Sequence, residues 1–258
     1  MFTFCVGLAF IFAVCFCVVA LANRVYRVFV PDDIYADPSY ANTINGGSVY
    51  EVRAEDAPEE GTAEFFEEYI DNFIKQDMPN FEDTENLNDE YVISFGIWQA
   101  ITLNNTQGIY NYDSKGSFRV PAKDVETFAT YCLEYPNKFG HRSVENCGEF
   151  KYNKLSKTYT VKAIGLQSYL IPDVVEVKEG ENDTYVLTVD CYQASMLSTE
   201  DPTNDPANLK KRVEITLQDM GILSYDSETG TPVHRYVYLS MKNVNTDSAP
   251  VVEEVELN

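Results

Sequence analysis

The residues that could carry covalent chemistry in this 258-residue chain lie in one short stretch, His141-Arg142-Ser143-Val144-Glu145-Asn146-Cys147-Gly148. An imidazole beside a thiol can remove its proton and leave a nucleophilic thiolate. Here the two residues are six apart in a segment with no regular period, so nothing in the spacing makes them face each other. Nor is any third group marked out to orient the imidazole. The expectation is that neither His141 nor Cys147 is catalytic. Only one other histidine exists, His234 in Pro232-Val233-His234-Arg235, and it reads as an exposed turn residue. With two histidines a three-His metal site is impossible, and no H-E-x-x-H occurs in the sequence. There is also no G-x-S-x-G elbow, glycine-rich phosphate loop or S-x-x-K motif.

Carboxylates are too abundant to single out an acid–base pair, because spacing in sequence does not fix the separation in space that glycoside hydrolysis requires. Oxygen ligands occur in the turns Asp201-Pro202-Thr203-Asn204-Asp205 and Asp226-Ser227-Glu228-Thr229-Gly230, but neither matches an EF-hand loop. The expectation is no metal site and no cofactor, with weak nonspecific Ca²⁺ binding at most. Asn104 and Asn182 open N-x-T sequons, which matter only in a eukaryotic secretory pathway.

Cysteine and tyrosine offer other uses for candidate residues. Outside the first 22 residues lie Cys132, Cys147 and Cys191. A Cys132–Cys147 bridge would close a short loop and contribute about 3 kcal/mol in an oxidising compartment, leaving Cys191 as a buried thiol; the alternative is three unpaired cysteines. Tyr110 and Tyr112 in a loop, Tyr192 on the outward phase of a strand, and Tyr236 with Tyr238 on one strand face form a candidate aromatic platform for a sugar or a protein partner. Their alternative use is to fill a half-buried sheet face.

Location is carried by residues 2–22, an apolar run broken only by Thr3 and Gly7. About 20 such residues can cross a bilayer, yet Ala20-Leu21-Ala22 also fits a signal-peptidase site, so anchor and cleaved signal both stand. Either places the remainder at the outer face of the cell membrane or in the secreted fraction. Arg24 and Arg27 follow the run and no base precedes it, which leaves orientation open on the positive-inside rule. The net charge of −22 excludes nucleic acid as a partner. Between Glu55 and Glu90 fourteen acids face a single base, Lys75, whereas from Lys138 to Asn243 acids and bases nearly balance. The acidic block reads as a solvated helix face with its loops.

The elements that must position these residues follow from periodicity. Residues 23–58 read as a stalk, residues 59–244 as a single ectodomain with helices in 59–135 and strands in 150–244, and residues 245–258 as an acidic flexible tail. Phe65, Phe66, Tyr69, Ile70, Phe73 and Ile74 recur at helical spacing up to Pro79. A second helix spans about Asn88 to Leu103, apolar on nearly all sides, and should bury Trp98. A third starts at Val120-Pro121, with Val125, Phe128, Ala129, Cys132 and Leu133 facing inward.

Beyond Lys151 the period becomes two, through Tyr159-Val161-Ala163, Tyr185-Leu187-Val189-Cys191, Val213-Ile215-Leu217 and Val237-Leu239-Met241. The predicted fold class is α+β, an N-terminal apolar helix and then three helices on one face of a curved antiparallel sheet. In architecture this is similar to cystatin-like and NTF2-like cones.

Two stretches, Leu87-Asn88-Asp89-Glu90-Tyr91-Val92-Ile93-Ser94-Phe95-Gly96-Ile97-Trp98 and Val120-Pro121-Ala122-Lys123-Asp124-Val125, resemble uncharacterised membrane-anchored extracytoplasmic proteins of Gram-positive bacteria. The resemblance implies location and assigns no functional residue. Wall-remodelling L,D-transpeptidases also pair a Cys with a His, but the stretch around Cys147 departs from their S-x-G-C core. The functional expectation is a non-catalytic extracytoplasmic module that binds a protein or cell-envelope component, touching the membrane through residues 2–22 if these are uncleaved. The alternative is a cell-wall hydrolase or transpeptidase.

Overall fold

The computed structural model describes residues 34–37, 39–40, 58–135, 140–145, 149–162, 168–195, 201–225 and 232–244. The apolar run 2–22, most of the stalk, Cys147, the turn 226–230 and the tail lie outside the described residues. Among the described residues no helix is long and apolar enough to cross a membrane.

Helix α1 (Ala63–Lys75) starts where the Thr62 hydroxyl accepts the Phe65 N–H, and its wide apolar stripe buries Phe66, Ile70, Phe73 and Ile74. Helix α2 (Asp89–Gln107) is capped by Asn88 and ends at Gly108, whose φ of 64° is the left-handed conformation that glycine adopts without strain. It runs one turn past the expected Leu103. Helix α3 (Ala122–Leu133) follows Pro121 directly and buries Val125, Phe128, Ala129, Cys132 and Leu133, the inward face that the sequence predicts.

Among the described residues seven strands form two antiparallel sheets. Strands β1 (Phe118–Pro121), β2 (Lys151–Asn153) and β3 (Thr158–Val161) make a small sheet in the order β1-β3-β2. Strands β4 (Ser168–Glu179), β5 (Thr184–Ser195), β6 (Leu209–Tyr225) and β7 (Pro232–Val244) make a larger one in chain order. The α+β class and the three helices match expectation; the single curved sheet does not. Strand β1 sits among the helices, and β4 escapes the period-two pattern because it is an edge strand that carries Pro172 and a bulge between Val174 and Glu176.

Two cores explain the division. One gathers the apolar side of α1, Val92 and Phe95 of α2, and the inner face of the larger sheet through Leu187, Val189, Val213, Ile215, Tyr236 and Tyr238. The other joins Ile93, Ile97 and Ala100 of α2 to Val120, Val125, Tyr159 and Val161 beside the small sheet. Helix α2 is apolar all round because it lies between the two. Its Gly96 meets α3 so closely that an added Cβ would stand 2.7 Å from the Val125 carbonyl oxygen. Trp98, expected to be buried, is half-buried at the edge of the second core.

Strand β7 departs from simple alternation. Thr216 pairs with Ser240, but the next β6 residue, Leu217, pairs with Tyr238, so Leu239 is an extra residue. This bulge puts Tyr236, Tyr238 and Met241 on the core face and leaves Leu239 exposed, where the alternation predicts Leu239 to be inward.

Candidate functional site

Among the described residues three polar centres hold the groups that could do chemistry, and the first is closed to solvent. In the first, Asp124 lies in the first turn of α3 with 1% of its surface exposed. Its carboxylate accepts the Tyr110 hydroxyl at 3.0 Å and the Tyr35 hydroxyl at 3.0 and 2.9 Å. Burial pushes Asp124 up to about 6 although both phenols hold it down. Backbone pairing of Tyr35 with Tyr110 brings in the short 34–37 segment, so the acid ties that segment to α3.

The second centre contains His141. Its Nε2 is 2.9 Å from Glu126 Oε1 on α3, and its Nδ1 is 2.8 Å from the Tyr159 hydroxyl on β3. The Arg142 N–H also donates to the Tyr159 oxygen. The imidazole thus bridges Glu126 and the Tyr159 hydroxyl, with the proton positions set by its tautomer. Both ring nitrogens are therefore engaged, the ring stacks on Tyr152, and Tyr159 is wholly buried. Burial pushes the Tyr159 phenol up, so it is a poor nucleophile. A carboxylate–imidazole–phenol relay exists in geometry, and each member is used to join α3, the 140–142 segment and β3.

The third centre lies at the far end of the larger sheet. Asp219 Oδ2 is 2.7 Å from His234 Nδ1, and Asp219 Oδ1 accepts the Gly221 N–H at 2.7 Å. His234, expected as an exposed turn residue, is half-buried against Tyr236. Glu60 Oε1 accepts both the His234 N–H at 3.2 Å and the Tyr236 hydroxyl at 3.1 Å. Gly221 has φ of 88° at an irregularity between Asp219 and Ile222, so the carboxylate of Asp219 pins a bulge that only glycine fits without strain.

From this pinned bulge the end of β6 projects with the start of β7 as a two-stranded arm. Strand β5 begins at Thr184, opposite Gln218, so it does not reach the outer part of β6. There Met220 is 46%, Ile222 51%, Leu223 36% and Tyr225 63% exposed, four large apolar side chains in six residues. Scattered exposed apolar residues are ordinary, whereas these four stand together at one end of one strand.

The tyrosines of the expected platform are divided. Tyr110 is buried on Asp124; Tyr236 and Tyr238 face the core, where Tyr238 stacks on Phe73 at 4.2 Å between ring centres. Tyr112 is exposed and Tyr192 half-buried on the outer sheet face, so the five do not form one surface. Cys132 and Cys191 are buried in the first core, and burial pushes the Cys191 thiol up to about 12. Since Cys147 lies outside the described residues, the Cys132–Cys147 bridge has no geometry here. Asp201 spends its carboxylate on the Thr203 N–H and hydroxyl. No group of three or more His, Cys, Asp or Glu residues placed to hold a metal occurs among the described residues. Neither a family model, a curated protein nor a solved structure matches the chain.

Sequence reasoning missed Asp124, Tyr35, Asp219 and the arm. The arm had a signal: alternation holds through Val213, Ile215 and Leu217, then fails at Met220-Gly221-Ile222-Leu223, where apolar residues occupy both phases around a glycine. Asp124 and Tyr35, 89 residues apart, had none.

Proposed function

We propose that this chain is a non-catalytic extracytoplasmic module, membrane-anchored or secreted, that binds a protein or cell-envelope component through the β6–β7 arm. The observation that carries the reading is the clustering of Met220, Ile222, Leu223 and Tyr225 on a projection stiffened by Asp219. The groups that could do chemistry support it, because Asp124 and His141 are both engaged by neighbouring side chains. Residues 2–22 and the resemblance to Gram-positive membrane-anchored proteins support the location.

A wall hydrolase or transpeptidase remains the second reading, favoured by the Glu126–His141 pair, whose Glu126 is partly exposed. The experiment is retention of the purified protein on envelopes of the producing cells. Ile222→Ser with Tyr225→Ser should reduce retention at least tenfold without a change in thermal unfolding. Undiminished retention would remove the arm from the function.

A further inference from the structure

We propose that the partner seated on the arm is a basic protein segment that carries apolar side chains. The inference rests on the binding-module reading above and adds the chemistry of what is bound.

From Met220 to Tyr225 the chain has no charged residue, and among the described residues this stretch of β6 pairs only with β7. At about 3.3 Å per residue, Asp219 to Tyr225 measures at most about 20 Å, enough for an extended segment of six to eight residues. The bulges at Gly221 and Leu223 twist the strand, so the contact is made by exposed side chains rather than by a continuous backbone ladder.

Charge selects the occupant. At the base of the arm Tyr185 pairs with Glu179 across the sheet, the Asp183 carbonyl accepts the Asp219 N–H at 2.9 Å, and the Tyr185 ring lies 5.8 Å from that of Tyr236, whose hydroxyl donates to Glu60; burial first and then these carboxylates push the Tyr185 phenol up. Asp219 Oδ2 is 2.7 Å from His234 Nδ1. No lysine or arginine among the described residues pairs with Glu179 or Asp183. The arm is thus an apolar surface with an acidic base next to an aromatic ring. A lysine or arginine there meets carboxylates next to the Tyr185 ring. A second copy of this chain would set one acidic base against another, and a zwitterionic or anionic lipid surface would desolvate the same carboxylates without supplying net positive charge.

The test uses the full chain and three synthetic octapeptides, of alternating Lys and Val, Lys and Ser, and Glu and Val, together with phosphatidylcholine vesicles. Titration gives affinity and amide hydrogen exchange gives position. The Lys-Val peptide should bind at least tenfold more tightly than either other peptide, with protection confined to residues 219–225 and 232–236. Ile222→Ser with Tyr225→Ser should abolish that preference, and Glu179→Gln with Asp183→Asn should weaken Lys-Val binding at least threefold and flatten its salt dependence. Equal binding of Lys-Ser would reduce the effect to attraction by a polyanion and overturn the proposal. So would tight Glu-Val binding, protection on the acidic face of α1, or arm-dependent binding to vesicles in place of peptide. If envelope retention depends on the arm but the Lys-Val peptide does not bind it, the binding module stands and the basic partner falls. Arm-independent retention with arm-located peptide binding gives the converse.

Discussion

Asp124 carries the clearest linkage to solution conditions. Its pKa is about 6 in the folded chain, raised by burial, against about 3.9 for an unfolded aspartate. The folded state therefore binds the proton more tightly, and stability falls as pH rises from about 4 to about 6, then levels off. The difference corresponds to about 3 kcal/mol at most. Denaturant melts of the wild type and Asp124→Asn should show the wild type gaining relative to the variant at pH 4.5 compared with pH 7; a difference independent of pH would contradict it. His141 makes a different prediction. Since its nitrogens bridge Glu126 and Tyr159, His141→Ala should cost about 1–3 kcal/mol of stability and leave partner binding intact. Sequence alone shows that His141 lacks a motif, and that much is legible. What it does not show is which residues fill the ring's hydrogen bonds, because Glu126 and Tyr159 come from elements joined only by folding.

At the scale of elements, helices were legible and strand phase only in part. The stripe of α1 and the inward face of α3 follow from a 3.6-residue period, and the cores of β5 and β6 from alternation. Where a bulge resets the phase, as at Leu239, alternation misplaces the side chains beyond it, and an edge strand with a proline, β4, shows no alternation to read. Gly96 belongs to this scale too. Propensity alone favours alanine in a helix interior by about 1 kcal/mol, but the methyl would meet the Val125 carbonyl oxygen at 2.7 Å. Overpacking against backbone outweighs propensity, so Gly96→Ala should lower stability by about 1–3 kcal/mol in chemical denaturation. A stabilised variant would show that α2 and α3 are less closely packed.

For the whole molecule, the division of α2 between two cores makes the helices and both sheets interdependent. Helix α1 and the larger sheet share one core, the small sheet belongs to the other, and α2 contributes to both. Residues 59–244 should therefore resist limited proteolysis as one unit; recovery of two separately stable fragments, one helical and one β, would refute it. The acidic charge was plain in composition, but its meaning at the arm depends on Glu60, Glu179, Asp183 and Asp219 converging from separate parts of the chain on Tyr185. The central claim is that function lies in the exposed arm rather than in the His141 imidazole. Envelope retention and turnover of purified cell-wall polymer, measured together for Ile222→Ser/Tyr225→Ser and for His141→Ala, test it most directly. The account predicts no turnover by any form of the protein, retention lost in the arm variant, and retention kept in folded His141→Ala. Turnover by the wild type that falls more than tenfold in folded His141→Ala, with the arm variant fully active, would contradict it.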